Sequence, residues 1–190
     1  MMTNNEILTQ WIPYRLEAID TLQFAWKWAG ESKLQSKVDV LADGKLKLQG
    51  NVAAIANPMI EAGIIHARAL LEFLGLGTQG GRLVQVNNKR RADDVAIEHF
   101  STPTCPISKI TVIDALSAYT GPKEEAEQAL VAIFELANKW LAHLTTGVLS
   151  HDYTDQHLDI ACRGIRVLLN NYLYAKLGRE IPMPPSGIDN

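Results

Sequence analysis

Cysteine is nearly absent: Cys105 and Cys162 are the two in 190 residues, far apart and outside any ligand-spaced pair. That argues against a disulfide framework or a structural zinc site, and it favours reduced thiols in a cytoplasmic compartment. No run of about 18 uncharged apolar residues occurs, so no membrane partner is expected. The opening residues MMTNNEILTQW lack the basic and apolar blocks of a secretory leader. Charge of one sign is also scarce. Lys+Arg 18 against Asp+Glu 21 gives a formal net charge of −3, so any affinity for nucleic acid has to come from a local patch. Neither Glu-x-x-His nor His-Glu-x-x-His appears, and there is no Gly-x-Ser-x-Gly elbow. No metal site, no cofactor and no serine-hydrolase chemistry is therefore expected. Gly75-x-Gly77-x-x-Gly80 matches the dinucleotide fingerprint in letters only, because that loop must follow a strand and open a helix.

What is present is helical periodicity, in a composition (47% apolar, 21% charged) ordinary for a soluble globular protein. Over residues 124–145, Leu130, Ile133, Phe134, Ala137, Leu141 and Leu144 gather on one side of a helical wheel. Glu127, Gln128, Glu135 and Lys139 lie away from it. Residues 51–74 form a second long helix, capped by Asn51 and kinked or restarted at Pro58. It is apolar almost all round, with a thin polar strip of Glu61, Arg68 and Glu72 and with His66 on its buried side. A first helix is expected from near Pro13 to Gly30, and a last one from about Thr154 to Leu177, stopped by Gly178. On the last helix, Ile160, Val167 and Tyr174 form a second apolar ridge at seven-residue spacing, which packs under a loop or meets a second subunit.

Between these helices the pattern is weaker. Residues 31–50 lean toward a small hairpin or irregular excursion, since Val38-Asp39-Val40 and Leu46-Lys47-Leu48 flank Asp43-Gly44, with a short polar helix up to Leu41 as the alternative. Residues 75–110 read as a long loop excursion, with a short helix near His99 and another over 112–119. The expected fold is all-α: an up-down bundle of four main helices, plus short helices and that loop. Residues 1–178 make one bundle domain, and 179–190 a Pro-rich tail.

Chemistry-bearing residues cluster in few places. Arg68 and Glu72, at i and i+4, form an ion pair with Glu61 further along the same strip. A polar seam on an otherwise buried helix is a place to look for a pocket. Lys139 and His143 are likewise one turn apart, whereas Asn138 lies about 140° around an ideal wheel from His143. His151 and His157 flank the start of the last helix. Lys89-Arg90-Arg91, with Arg82 upstream, is the densest basic patch: a solvated loop charge cluster by default, and a place for phosphate contacts as the alternative.

The segments HARALLEF (66–73) and NKWLAHLT (138–145) together resemble a group of small bacterial helical proteins of unassigned function. More remotely, the chain is similar to the HEPN superfamily: helical bundles, often dimers, some of them RNases of toxin–antitoxin and phage-defence systems. In active members an Arg, usually followed by a polar residue, precedes a His by about five to seven positions; the Arg steadies phosphate charge and the His moves a proton at the ribose 2′-OH. His143 matches that His, but Asn138 holds the Arg position and Lys139 the polar one. Asn has neither the charge nor the fork of a guanidinium. The resemblance therefore implies a non-catalytic, dimeric bundle that binds RNA or a partner protein. The alternative it implies is a metal-independent RNase using His143, with Lys139, Asn138 and Arg68 at the phosphate.

Overall fold

The computed structural model describes residues 2–86, 94–141 and 153–183, with residues 139–141 described by backbone only. The chain is mostly helical, but it also holds two small antiparallel sheets, which corrects the all-α expectation.

The first rod starts earlier than Pro13. Thr3 and Glu6 cap α1 (Asn4–Glu6) reciprocally, the Thr3 hydroxyl accepting the Glu6 amide and the Glu6 carboxylate accepting the Thr3 amide. A π segment (Ile7–Trp11) then leads into α2 (Ile12–Glu31) without a break. In this wider turn the Ile12 amide donates to the Ile7 carbonyl. The next bond of that ladder would come from residue 13 to Leu8, but proline has no N–H. The Tyr174 hydroxyl fills the gap, donating to the Leu8 carbonyl at 2.6 Å. Tyr174 is fully buried, and burial pushes its phenol pKa upward.

The Asp43-Gly44 signal does form a hairpin. β1 (Lys37–Ala42) and β2 (Lys45–Asn51) pair through a turn with φ 52° and 72° at its two central residues, as a tight hairpin turn requires. Asn51 caps α3 (Val52–Leu74), its side-chain oxygen accepting the Ala54 amide at 2.8 Å. Pro58 sits on the exposed side, and α3 continues through it as one element. The helix ends at Gly75, whose φ of 95° suits only a residue without a Cβ.

The supposed loop that follows is partly a second hairpin. β3 (Leu76–Gln79) and β4 (Arg82–Gln85) join through Gly80 and Gly81, both at positive φ. The Gly75, Gly77 and Gly80 spacing thus serves a helix end and a hairpin, with no phosphate loop. A 3-10 turn (Ile97–Phe100) and α4 (Val112–Ser117) lead to α5 (Lys123–Glu135), which runs on as a π segment (Leu136–Leu141). The final rod is α6 (Asp155–Leu169) and a π segment (Asn170–Tyr174).

The rods pack by small residues and by matched polar contacts. Gly63 lets α3 close on α2, because a Cβ there would stand 2.7 Å from the Ala18 carbonyl oxygen. The α1–α2 rod and α6 run antiparallel. Arg179 reaches Asn5, Arg166 grips Asp20 at 2.7 Å, Gln23 meets Asp159, and the Trp26 indole donates to Asp155 at 3.0 Å. One apolar cluster runs from Ile7 to Tyr174, and a smaller one joins Ala25, Val52 and Ala56. The ridge expected on α6 is not an open face, since Ile160 and Tyr174 lie inside the main cluster and Val167 alone is 40% exposed. Among the described residues no helix is long and apolar enough to cross a membrane.

Candidate functional site

The polar strip of α3 and the π segment after α5 meet. Arg68 lies on the outer side of α3, and its Nε donates to Glu72 Oε1 at 2.9 Å, one turn further along. Its Nη1 crosses to Asn138 Oδ1 at 2.5 Å, joining residues 70 positions apart in the chain. Asn138 stands on the π segment, where the backbone turns less per residue than in an α-helix and the wheel drawn from sequence stops applying. π segments are frequent at functional sites. Arg68 and Glu72 are partly exposed, at 32% and 44% of their side chains, so water reaches the pair and weakens it.

Glu61 is exposed and lies apart from this contact, at the mouth of a cleft of about 340 Å3 lined by Trp26, Ile60, Ile64, Leu136 and Leu158. Lys139 contributes its backbone to the π segment, and its side chain lies outside the described residues. So do His143 and His151, and so do Lys89, Arg90 and Arg91. The upstream Arg82 is tied to Glu127 at 3.1 Å.

Two placements correct the sequence reading. Glu135, expected on the solvent side, is 8% exposed, the one buried charged residue among those described. The reason is that the solvent side of α5 is confined to its first turns, at Glu124 and Gln128, and every position from Ala129 to Glu135 is buried. α3, α6 and the β3–β4 hairpin surround it, and its run from Ala126 to Glu135 is buried at nearly every position. His66, expected in the core, is only half-buried. It accepts from Arg15 Nη1 at Nδ1 (3.0 Å), and Tyr14 meets its ring edge-on at 5.2 Å. A guanidinium only donates, so His66 is neutral with its proton on Nε2. Burial first, and the Arg15 charge second, lower its pKa.

The other described histidines are capping groups. His157 Nδ1 accepts the Thr154 amide at 3.1 Å, and His99 Nδ1 accepts the Ala96 amide at 3.2 Å, each closing the start of its own helix. Cys162 is buried and its thiol is pushed up to about 12, chiefly by desolvation, so it is no nucleophile. No group of three or more His, Cys, Asp or Glu able to hold a metal occurs among the described residues.

Sequence reasoning misplaced Glu135 and passed over Arg15. The signal for each was present: an acid inside the apolar run IFELA, and a lone Arg inside PYRLEAI. Arg68–Glu72–Asn138 is chemically a clasp. One guanidinium has its charge answered by a carboxylate and a second N–H taken by an amide oxygen, which fixes its orientation. Comparison of the chain with protein-family models, with curated proteins and with solved structures finds no match.

Proposed function

We propose that this chain is a HEPN-like, non-catalytic helical-bundle protein that acts by binding RNA or a partner protein. Four rods in up-down order, ending with the α1–α2 and α6 pair described above, would be its frame. The observation that carries the non-catalytic reading is the Arg68 clasp. In a nuclease of the resembled type a guanidinium must be free to meet phosphate, and here the guanidinium nearest the motif is engaged by Glu72 and Asn138. Asn138 acts as an acceptor at the position where an active relative would place a donor.

The competing reading is a metal-independent RNase, with His143 as the proton-transfer group and Lys139, Asn138 and Arg68 at the phosphate. It draws support from the same contact, since Arg68 does reach the segment that carries Asn138 and Lys139. An RNA-cleavage assay separates the two. Wild type and His143→Ala are expected to show the same background rate, and a wild-type rate well above the variant's would remove the non-catalytic reading.

A cytoplasmic homodimer belongs to the proposal, but the α6 ridge does not supply its interface. Leu41, Leu46 and Leu48 of the β1–β2 hairpin, each more than half exposed, are the better candidates. Sedimentation that shows only monomer at micromolar concentration would rule the dimer out.

A further inference from the structure

A separate cleft of about 390 Å3 opens between the α1–α2 rod and the C-terminal half of α3. Its floor is apolar, formed by the buried Ile12, Leu70 and Phe73, and Trp11, 43% exposed, lines it as well. Arg15 lines the same cleft, half-buried. A guanidinium partly withdrawn from water is stabilised by a carboxylate partner. Arg15 has none among the described residues. Its hydrogen bond goes to the neutral His66 Nδ1, which holds the guanidinium in place without answering its charge. Desolvation is the largest cause acting on the Arg15 pKa, lowering it, and no carboxylate is among the others. One N–H of the guanidinium faces His66, and the rest of its donor fork is left for a ligand.

The charges and volume of the cleft also bear on what it takes. Glu72 and Asp94 line it too, and neither is ion-paired with Arg15. Glu72 is moreover held by Arg68. A polyanion such as a phosphate chain would meet those carboxylates. A single carboxylate at the Arg15 end, with an apolar body over the floor, brings less charge toward them. The volume falls in the range of small-molecule sites.

We propose that this cleft binds an apolar monocarboxylate, its carboxylate paired with the Arg15 guanidinium and its hydrocarbon or aromatic body lying against Trp11 over Ile12, Leu70 and Phe73. The site shares Glu72 with the clasp but does not depend on the bundle's proposed role. A free small acid and the C-terminal carboxylate of a peptide share this chemistry, and the test tells them apart.

The full chain is titrated by calorimetry and by NMR with phenylacetate, phenylacetamide, phenyl phosphate, N-acetyl-Gly-Phe and its amide. Phenylacetate or N-acetyl-Gly-Phe is expected to bind and to shift the Trp11 indole resonance, while the two uncharged amides do not. Whichever acid binds more tightly identifies the source, and either order supports the site. Arg15→Gln is expected to weaken binding by about tenfold or more, the loss of a charge-assisted hydrogen-bonded pair, and Arg15→Lys by less. Should Arg15→Gln fail to fold, the acid-against-amide comparison on wild type still decides. Equal binding of phenylacetate and phenylacetamide, tighter binding of phenyl phosphate, or no response to either acid would overturn the proposal.

Discussion

The β1–β2 and β3–β4 hairpins turn through the same kind of two-residue loop, Asp43-Gly44 and Gly80-Gly81, with all four residues at positive φ. One stands in solvent and the other is walled in. In β1–β2, Leu41, Leu46 and Leu48 are 60%, 54% and 52% exposed, and the ribbon is tied down mainly at its root, through Val52 to Ser36 and Ala53 to Leu34. In β3–β4, Leu76 and Leu83 are buried, and Glu127 of α5 accepts from both the Leu83 amide and Arg82. Gln85 donates to the Ile110 carbonyl, and the Val86 amide to Gly75. Turn chemistry is local and decides that a hairpin forms. What it contributes depends on neighbours far away in sequence, and those differ completely between the two.

The largest contrast should come from truncating one leucine in each. Leu83→Ala is expected to cost about 2–4 kcal/mol, and Leu48→Ala within about 0.5 kcal/mol, read from urea midpoints. Equal losses would erase the distinction between the hairpins. Next in size is Glu127→Ala, which removes the acceptor of a part-buried amide and of Arg82. About 1–2 kcal/mol is expected, with faster hydrogen exchange at Leu83 and no change at Leu48. The smallest effect is that of pH. The folded-state pKa of His66 lies below the ordinary 6.5, so on acidification the unfolded chain takes up this proton first. Stability from this group is complete above the unfolded pKa and falls as the pH drops through about 6.5 toward the folded value. His66→Asn should flatten that part of the stability–pH curve. Neither hairpin holds a histidine, so the order of Leu83 and Leu48 effects should survive acidification.

The β1–β2 hairpin was legible because Asp43-Gly44 sits between alternating apolar residues. The β3–β4 hairpin was not: its strands, LGTQ and RLVQ, are four residues each, too short to alternate visibly, and they fell inside a stretch that read as one long loop excursion. The rod start was written in Thr3-Asn4-Asn5-Glu6, a capping box before an apolar run, and Pro13 drew attention away from it. At the candidate site, the Arg68–Glu72 pairing is a spacing rule and could be read directly. The reach of Arg68 to Asn138 is tertiary and could not. The burial of Glu135 was hidden for two reasons. A helical wheel does not know how many neighbours surround a helix, and it fails at Leu136, where the backbone becomes π.

The Arg68–Asn138 contact is where the functional reading and the fold depend on the same atoms. A double-mutant cycle on stability, with Arg68→Ala, Asn138→Ala and the pair, measures it without reference to any substrate. A coupling of about 1 kcal/mol or more is expected from a part-buried, charge-assisted hydrogen bond. Strict additivity of the two losses would mean that Asn138 does not hold Arg68, and the non-catalytic reading would lose the contact that carries it.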